Sequence, residues 1–285
     1  MNEYRIKAYA KINLGLDVVR RLENGYHEVK MVMQTVGIYD VLDFQRTAGG
    51  IVITTDSGEL PTNEDNLIYK AAKLMKDTFK IDGGFKIHLT KNIPAAAGLA
   101  GGSSDCAATL IGINELCGLG FDIEKLCEIG VKLGADVPFC IRKGTMLAEG
   151  IGEILTPLTP LTGIPVLLIK PNISISTPYV YKHLKLNKLD YHPDNKAVIS
   201  YIKDNNIKKI AASLSNVLET VTIPENPIIA ELKRYLTESG AIGSLMSGSG
   251  PTTFGIFENM ETAKKAYEKA KADYPDFDVV LCQTM

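Results

Sequence analysis

Three sets of residues in this chain have types and spacing that could do chemistry. The first is a small-residue loop: Pro94, Ala95, Ala96, Ala97, Gly98, Leu99, Ala100, Gly101, Gly102, Ser103 and Ser104. It follows a strand-like stretch and runs into a helical pattern. Glycine permits backbone angles and close approaches that a side chain forbids. A helix start offers free N–H groups and the positive end of a dipole, so a polyphosphate fits there. The plainer alternative is a tight strand-to-helix connection with serine as N-cap. The loop is not a Walker A sequence, because no Gly-Lys-Ser/Thr follows, and it contains no G-x-G-x-x-G.

The second set is Asp136 within Gly134-Ala135-Asp136-Val137-Pro138-Phe139. A carboxylate there can accept a hydroxyl proton as general base, or it can cap its own turn. The third is Lys11, which alternation groups with Tyr9 and Asn13, opposite Ala8, Ala10, Ile12 and Leu14. A lysine in an isolated alternating strand normally points to solvent.

These residues need a scaffold, and the chain carries the pattern for one. Strand-like stretches cover residues 4–22, 29–37, 41–47, 51–55 and 85–90, broken by Gly and Asn turns. Helical spacing marks 67–75, 103–116 and 123–133, with Asp65-Asn66 before the first. Strands are expected around a turn at 149–152. Prolines at 157, 160 and 165 suggest a change of domain, giving 1–160 and 161–285. The second part reads as a strand at 166–170, helices at 195–203 and 227–237, strands at 241–246 and 252–257, a helix at 260–272 and a strand at 277–282. That order resembles a ferredoxin-type α+β sandwich.

Composition narrows the function classes. The 285 residues hold 31 Lys+Arg and 33 Asp+Glu, a formal net charge of −2, which argues against a nucleic-acid or membrane-surface binder. Hydrophobic residues make up 45% and charged ones 22%, as in an ordinary globular protein rather than a disordered one. No apolar run is long enough to span a membrane, and no secretory signal opens the chain, so a cytoplasmic location is expected. The five cysteines include no CxxC pair and the four histidines are scattered, which leaves no metal-ligand cluster.

The glycine loop resembles the ATP-binding motif of the GHMP kinases. The segment from Ala8 to Leu16 is similar to that family's opening A-x-A-K-[IV]-N-L-x-L, with Gly25-Tyr26-His27 following. Met246-Ser247-Gly248-Ser249-Gly250-Pro251-Thr252 resembles its third motif. Ala100 stands where the family often has glycine. The resemblance implies an α+β, two-domain GHMP kinase fold, with an amino-terminal ribosomal-protein-like βαβ domain and a carboxyl-terminal ferredoxin-like sandwich.

It also implies roles. The Gly-Gly-Ser-Ser form points to members that phosphorylate a 2-hydroxyl on a cytidine diphosphate-linked polyol, in the non-mevalonate isoprenoid route, with ATP and Mg²⁺. Asp136 matches the catalytic base, and Lys11 matches the catalytic lysine that keeps the carboxylate ionised. Residues 94–104 would hold the phosphates, Asn66 would meet the adenine side, and Ser104 would help hold Mg²⁺. Asn13, Tyr26, His27 and Tyr181 would bind substrate, with Tyr26 and Tyr181 stacking on cytosine and Tyr179 a rival for Tyr181. A monomer or weak homodimer is expected, with no nucleic acid or membrane partner. Other readings are another GHMP kinase, such as a homoserine kinase, and a non-catalytic nucleotide- or RNA-binding module on the same amino-terminal fold.

Overall fold

The computed structural model describes residues 2–58 and 60–285. The chain packs into two compact units, one of residues 1–10, 38–95 and 100–143, the other of 11–37, 96–99 and 144–285. These units are not continuous in sequence, unlike the expected 1–160 and 161–285. Pro157 instead closes a two-stranded edge hairpin, and Pro165 opens a central strand. Two long strands, β1 (Glu3–Arg21) and β2 (His27–Thr47), each contribute to both units.

In the first unit these are joined by β3 (Ile51–Thr55), α1 (Leu67–Phe79), β4 (Gly84–Thr90), α2 (Gly101–Cys117), α3 (Ile123–Gly130) and α4 (Val137–Arg142). β4 lies antiparallel to β2, from Val41 opposite Thr90 to Thr47 opposite Gly84, and parallel to β3. A parallel pair needs a crossover, and α1 supplies it. α1 buries Ile68, Ala71, Ala72 and Met75, an i, i+3, i+4, i+7 stripe, so its apolar face meets the sheet and α2. α2 is buried on nearly every side, which explains its run of small residues from Cys106 to Ala108. The expected helix at 123–133 is interrupted: α3 stops at Gly130 and α4 starts afresh after Asp136, with Pro138 in its first turn, where a missing N–H costs nothing.

The second unit adds β5 (Thr145–Glu149), β6 (Ile154–Pro157), β7 (Pro165–Lys170), α5 (Thr177–His183), α6 (Asn195–Lys203), α7 (Ile207–Ala212), β8 (Ser215–Asn216), α8 (Glu219–Glu225), α9 (Ile228–Glu238), β9 (Gly243–Met246), β10 (Thr253–Ile256), α10 (Met260–Asp273) and β11 (Asp278–Gln283). β5 pairs antiparallel with β2 and with β6, while β8 runs parallel to β1 at Gly15 and Leu16. The remaining strands form an antiparallel sheet in the order β11-β7-β10-β9. With α9 and α10 packed against it, this is the ferredoxin-like arrangement the sequence order suggested. Its core holds Leu167, Ile169, Leu232, Leu236 and Phe257.

Candidate active site

The first unit presents an open helix start. Ala100 is the N-cap of α2 in the left-handed region, φ 58° and ψ 29°, and offers no side-chain cap. Glycine would hold that conformation without the penalty the Ala100 Cβ brings. Ser103 and Ser104 therefore lie inside the helix and neither is the N-cap. No described residue accepts from the main-chain N–H of Gly101, Gly102 or Ser103. A Cβ at Gly102 would meet only Leu67, at 3.5 Å, so that surface is free of protein atoms. The local field favours an anion there.

The Ser103 hydroxyl makes no hydrogen bond among the described residues, whereas the buried Ser104 hydroxyl donates to the Tyr9 carbonyl at 2.6 Å. Ser104 thus pins α2 to β1. Asn66 is also committed. Its Oδ1 caps α1 by accepting from Ile68 N at 2.8 Å, and its Nδ2 donates to the Pro61 carbonyl at 2.7 Å. The capping role of Asn66 is therefore the observed one.

Asp136 is the N-cap of α4 at φ −80° and ψ −12°, and it makes no side-chain cap. Its half-buried carboxylate has no hydrogen-bond or ion-pair partner among the described residues. The alternative of a turn aspartate satisfying its own backbone does not hold. A carboxylate left in this state can accept a proton from an incoming hydroxyl.

In the second unit the other half of the loop is locked from behind. Gly98 sits at φ +72°, and a Cβ there would fall 2.2 Å from the Ser247 carbonyl oxygen. The Gly98 carbonyl accepts from Ser247 Oγ at 3.0 Å and from Lys11 Nζ at 3.1 Å. Lys11 Nζ also donates to Asn13 Oδ1 at 2.8 Å, and Lys11 N donates to the Leu99 carbonyl. Lys11 is 4% exposed and in no ion pair among the described residues, so it is a buried cation held by neutral oxygens. Asn216, which no local pattern marks out, donates to the carbonyls of Met246 and Gly248 and holds the third motif in place.

Ser249 of that motif shares a 2.7 Å hydrogen bond with Thr177, the first residue of α5, which carries Tyr181. The Tyr181 and His27 rings meet at 5.3 Å between centroids, tilted by 38°. Burial, and then the Arg21 charge, push the His27 pKa down. A neutral imidazole offers one donor and one acceptor, the pattern a nucleobase edge requires. Tyr26 stands apart at 58% exposure. Tyr179 is occupied elsewhere, stacked on His183 at 3.9 Å and bonded to Glu225. The geometry brings His27 and Tyr181 together and leaves Tyr26 and Tyr179 outside that pair.

Among the described residues no group of three or more His, Cys, Asp or Glu side chains is placed to hold a metal ion, and no helix is long and apolar enough to cross a membrane. The family model for the GHMP kinases N terminal domain matches residues 66–144, and that for GHMP kinases C terminal matches 198–276. The chain is 49% identical to the 4-diphosphocytidyl-2-C-methyl-D-erythritol kinase of Lachnoclostridium phytofermentans, over 95% of this chain and 94% of the relative. It is 48% identical to the enzyme of the same name from Acetivibrio thermocellus, over 95% and 96%. A crystal structure of 4-(cytidine 5'-diphospho)-2C-methyl-D-erythritol kinase superposes with a TM-score of 0.84 at 30% identity, covering 99% of each chain. A homoserine kinase from Cytophaga hutchinsonii superposes at 0.80 with 21% identity, over 100% of this chain and 95% of the other, which is a likeness of fold alone. From sequence and fold together, the chain belongs to the 4-diphosphocytidyl-2-C-methyl-D-erythritol kinase family of GHMP kinases.

Proposed function

We propose that the protein transfers the γ-phosphoryl group of ATP to the 2-hydroxyl of 4-diphosphocytidyl-2-C-methyl-D-erythritol, giving the 2-phosphate and ADP, in the non-mevalonate route to isoprenoid precursors. What carries this reading is near-full-length identity to kinases of that name, for example 44% over 99% of this chain and 50% over 92%. In such a transfer the protein's work is positioning and charge stabilisation.

Each role rests on a separate feature. The open N–H groups of Gly101, Gly102 and Ser103 support phosphate binding by residues 94–104. The partner-free Asp136 carboxylate is the assigned base, taking the hydroxyl proton as the acceptor oxygen bonds to phosphorus and ADP departs. Lys11, oriented by Asn13 and the Gly98 carbonyl, is the assigned cation for the charge that develops on the acceptor. The neutral His27 beside Tyr181 supports recognition of the cytosine edge and face, with Tyr26 free to swing onto the other face.

Magnesium normally accompanies ATP and neutralises its phosphate charge. Among the described residues no cluster of three or more His, Cys, Asp or Glu is placed to hold an ion, so the reading has Mg²⁺ arriving with ATP, with the Ser104 oxygen as its nearest assigned contact. No step is assigned to a protein-bound metal. The same reading has the protein acting on a small molecule in the cytoplasm, as a monomer or weak homodimer. The test is ADP release with the cytidyl substrate, homoserine or mevalonate as acceptor. Turnover only with the cytidyl substrate is expected. Turnover with homoserine, or none with the cytidyl substrate, overturns the assignment.

A further inference from the structure

Beneath the first turn of α2 lies a buried set of charges that the reaction as described leaves unused. Lys91, its side chain 8% exposed, is paired with the fully buried Asp40 carboxylate and lies 3.7 Å from Asp105 Oδ2. Asp40 Oδ1 also accepts from the main-chain N–H of Asn92 at 2.6 Å and Ile93 at 2.8 Å. One ammonium thereby joins β2, the segment entering the glycine loop, and α2.

The charges balance in one particular way. Two carboxylates and one ammonium would leave a net negative charge in a dry site, which is expensive. Asp40 is paired with Lys91 and accepts from two amides. Asp105, 3% exposed, has an Oδ1 with no hydrogen-bond partner among the described residues. Burial raises its carboxyl well above the ordinary range, and Asp40 adds to this while Lys91 opposes it. Burial thus favours a proton on Asp105, beside the Asp40–Lys91 pair.

The ammonium is aimed at the helix start. A Cβ on Gly101 would lie 3.1 Å from Lys91 Nζ and 3.2 Å from Ile93 Cγ2. The cation thus rests against the residue whose N–H opens the row of free donors. We propose that Lys91, gripped by Asp40 and Asp105, is a positioning residue for the nucleotide phosphates: it fixes the first turn of α2 from beneath and adds positive charge to that helix start. This rests on the reading of the loop as the ATP phosphate cradle. A strut without an electrostatic role would be replaceable by an apolar side chain of similar length, once its partner's charge is removed too.

The experiment is calorimetric ATP binding, with melting temperature and steady-state kinetics, on wild type, Asp40→Asn/Lys91→Met and Gly101→Ala. The double variant removes both charges and so avoids a buried orphan carboxylate. It is expected to remain folded by circular dichroism yet bind ATP several-fold more weakly, because the ammonium lies nearer the helix start than the carboxylate that balances it. The ATP KM should rise while kcat at saturating ATP stays within about twofold. Should the double variant not fold, Gly101→Ala carries the test, since its methyl displaces the ammonium without deleting a charge. A several-fold rise in its ATP KM is expected. Wild-type ATP affinity in either folded variant overturns the proposal. Absence of ATP binding by the wild type itself would instead sink the kinase reading beneath it.

Discussion

Two glycine-rich loops in this molecule have similar compositions and opposite states. Around Gly101 and Gly102 the main-chain donors are open, Gly102 is exposed, and the Ser103 hydroxyl is unpartnered among the described residues. Across 246–252 every residue is buried. There Ser247 N donates to the Thr252 carbonyl at 2.9 Å, Gly250 N donates to Ser247, Met246 N donates to Glu219, and Asn216 takes two carbonyls. Glycine in the first loop clears room for a ligand. In the second it clears room for other backbone, as the Gly98 contact with Ser247 shows. A count of glycines cannot tell the two apart; burial does, with Gly102 exposed and 246–252 buried throughout.

If the open region meets ligand and the closed one is structural, variants should divide the same way. The largest effect belongs to Asp136→Asn, which keeps shape but loses the proton acceptor. Turnover should fall roughly 10²- to 10⁴-fold with ATP affinity and melting temperature unchanged. Near-normal turnover would remove Asp136 from the mechanism.

Next is Tyr181→Ala, on the helix tied to the closed loop through Thr177 and Ser249. Loss of one stacking face costs about 1–3 kcal/mol, or roughly five- to 150-fold in affinity for the cytidyl substrate. ATP affinity should not move, and a parallel loss of both ligands would mark Tyr181 as core. The glycines sharpen the contrast most directly. Gly102→Val should weaken ATP binding by roughly tenfold, or about 1.4 kcal/mol, with little change in melting temperature. Gly98→Ala should instead lower the melting temperature, because its Cβ meets backbone at positive φ, a strain of order 1–3 kcal/mol. The reverse pattern would break the comparison.

The smallest effect is a matter of pH. Asp105 faces Asp40 and Lys91, and its folded pKa lies above its unfolded one, so protonation favours the folded state. That contribution is full below about pH 4 and fades as pH rises toward the folded value. Urea denaturation at several pH values should show wild type losing stability relative to Asp105→Asn as pH rises. A difference that stays flat with pH would mean Asp105 carries no raised pKa.

Much of this was legible in the sequence. The loop-to-helix junction, the alternation that set Lys11 and Asn13 on one face, and the ferredoxin-like order of the second half all depend on local pattern. What the sequence hid depends on partners far along the chain. The sequence pattern separates strands at 29–37 and 41–47, yet β2 runs unbroken, with the Asp40 carboxylate satisfied by Lys91, Asn92 and Ile93. Adjacent residues of extended chain point to opposite sides, so Tyr26 and His27 could not both face Tyr181, and only the folded chain shows that His27 does. α5, α7 and α8 are too short for periodicity to reveal.

The passage of β1 and β2 through both units has a consequence for how the chain is made. Residues 11–37 belong with 144–285, and Gln34 donates to the Met285 carbonyl, while Met285 N donates to Thr35. On the ribosome, the first unit has all its residues once residue 143 has emerged. The early strand segments of the second must then wait for the remaining residues to be translated, roughly 7–28 s at the usual 5–20 residues per second. Vectorial folding is therefore closed to the second unit. Its early strands can pair with each other but lack β5 and β8 while it is made, and a chain stalled midway would expose those edges to aggregation and to chaperones.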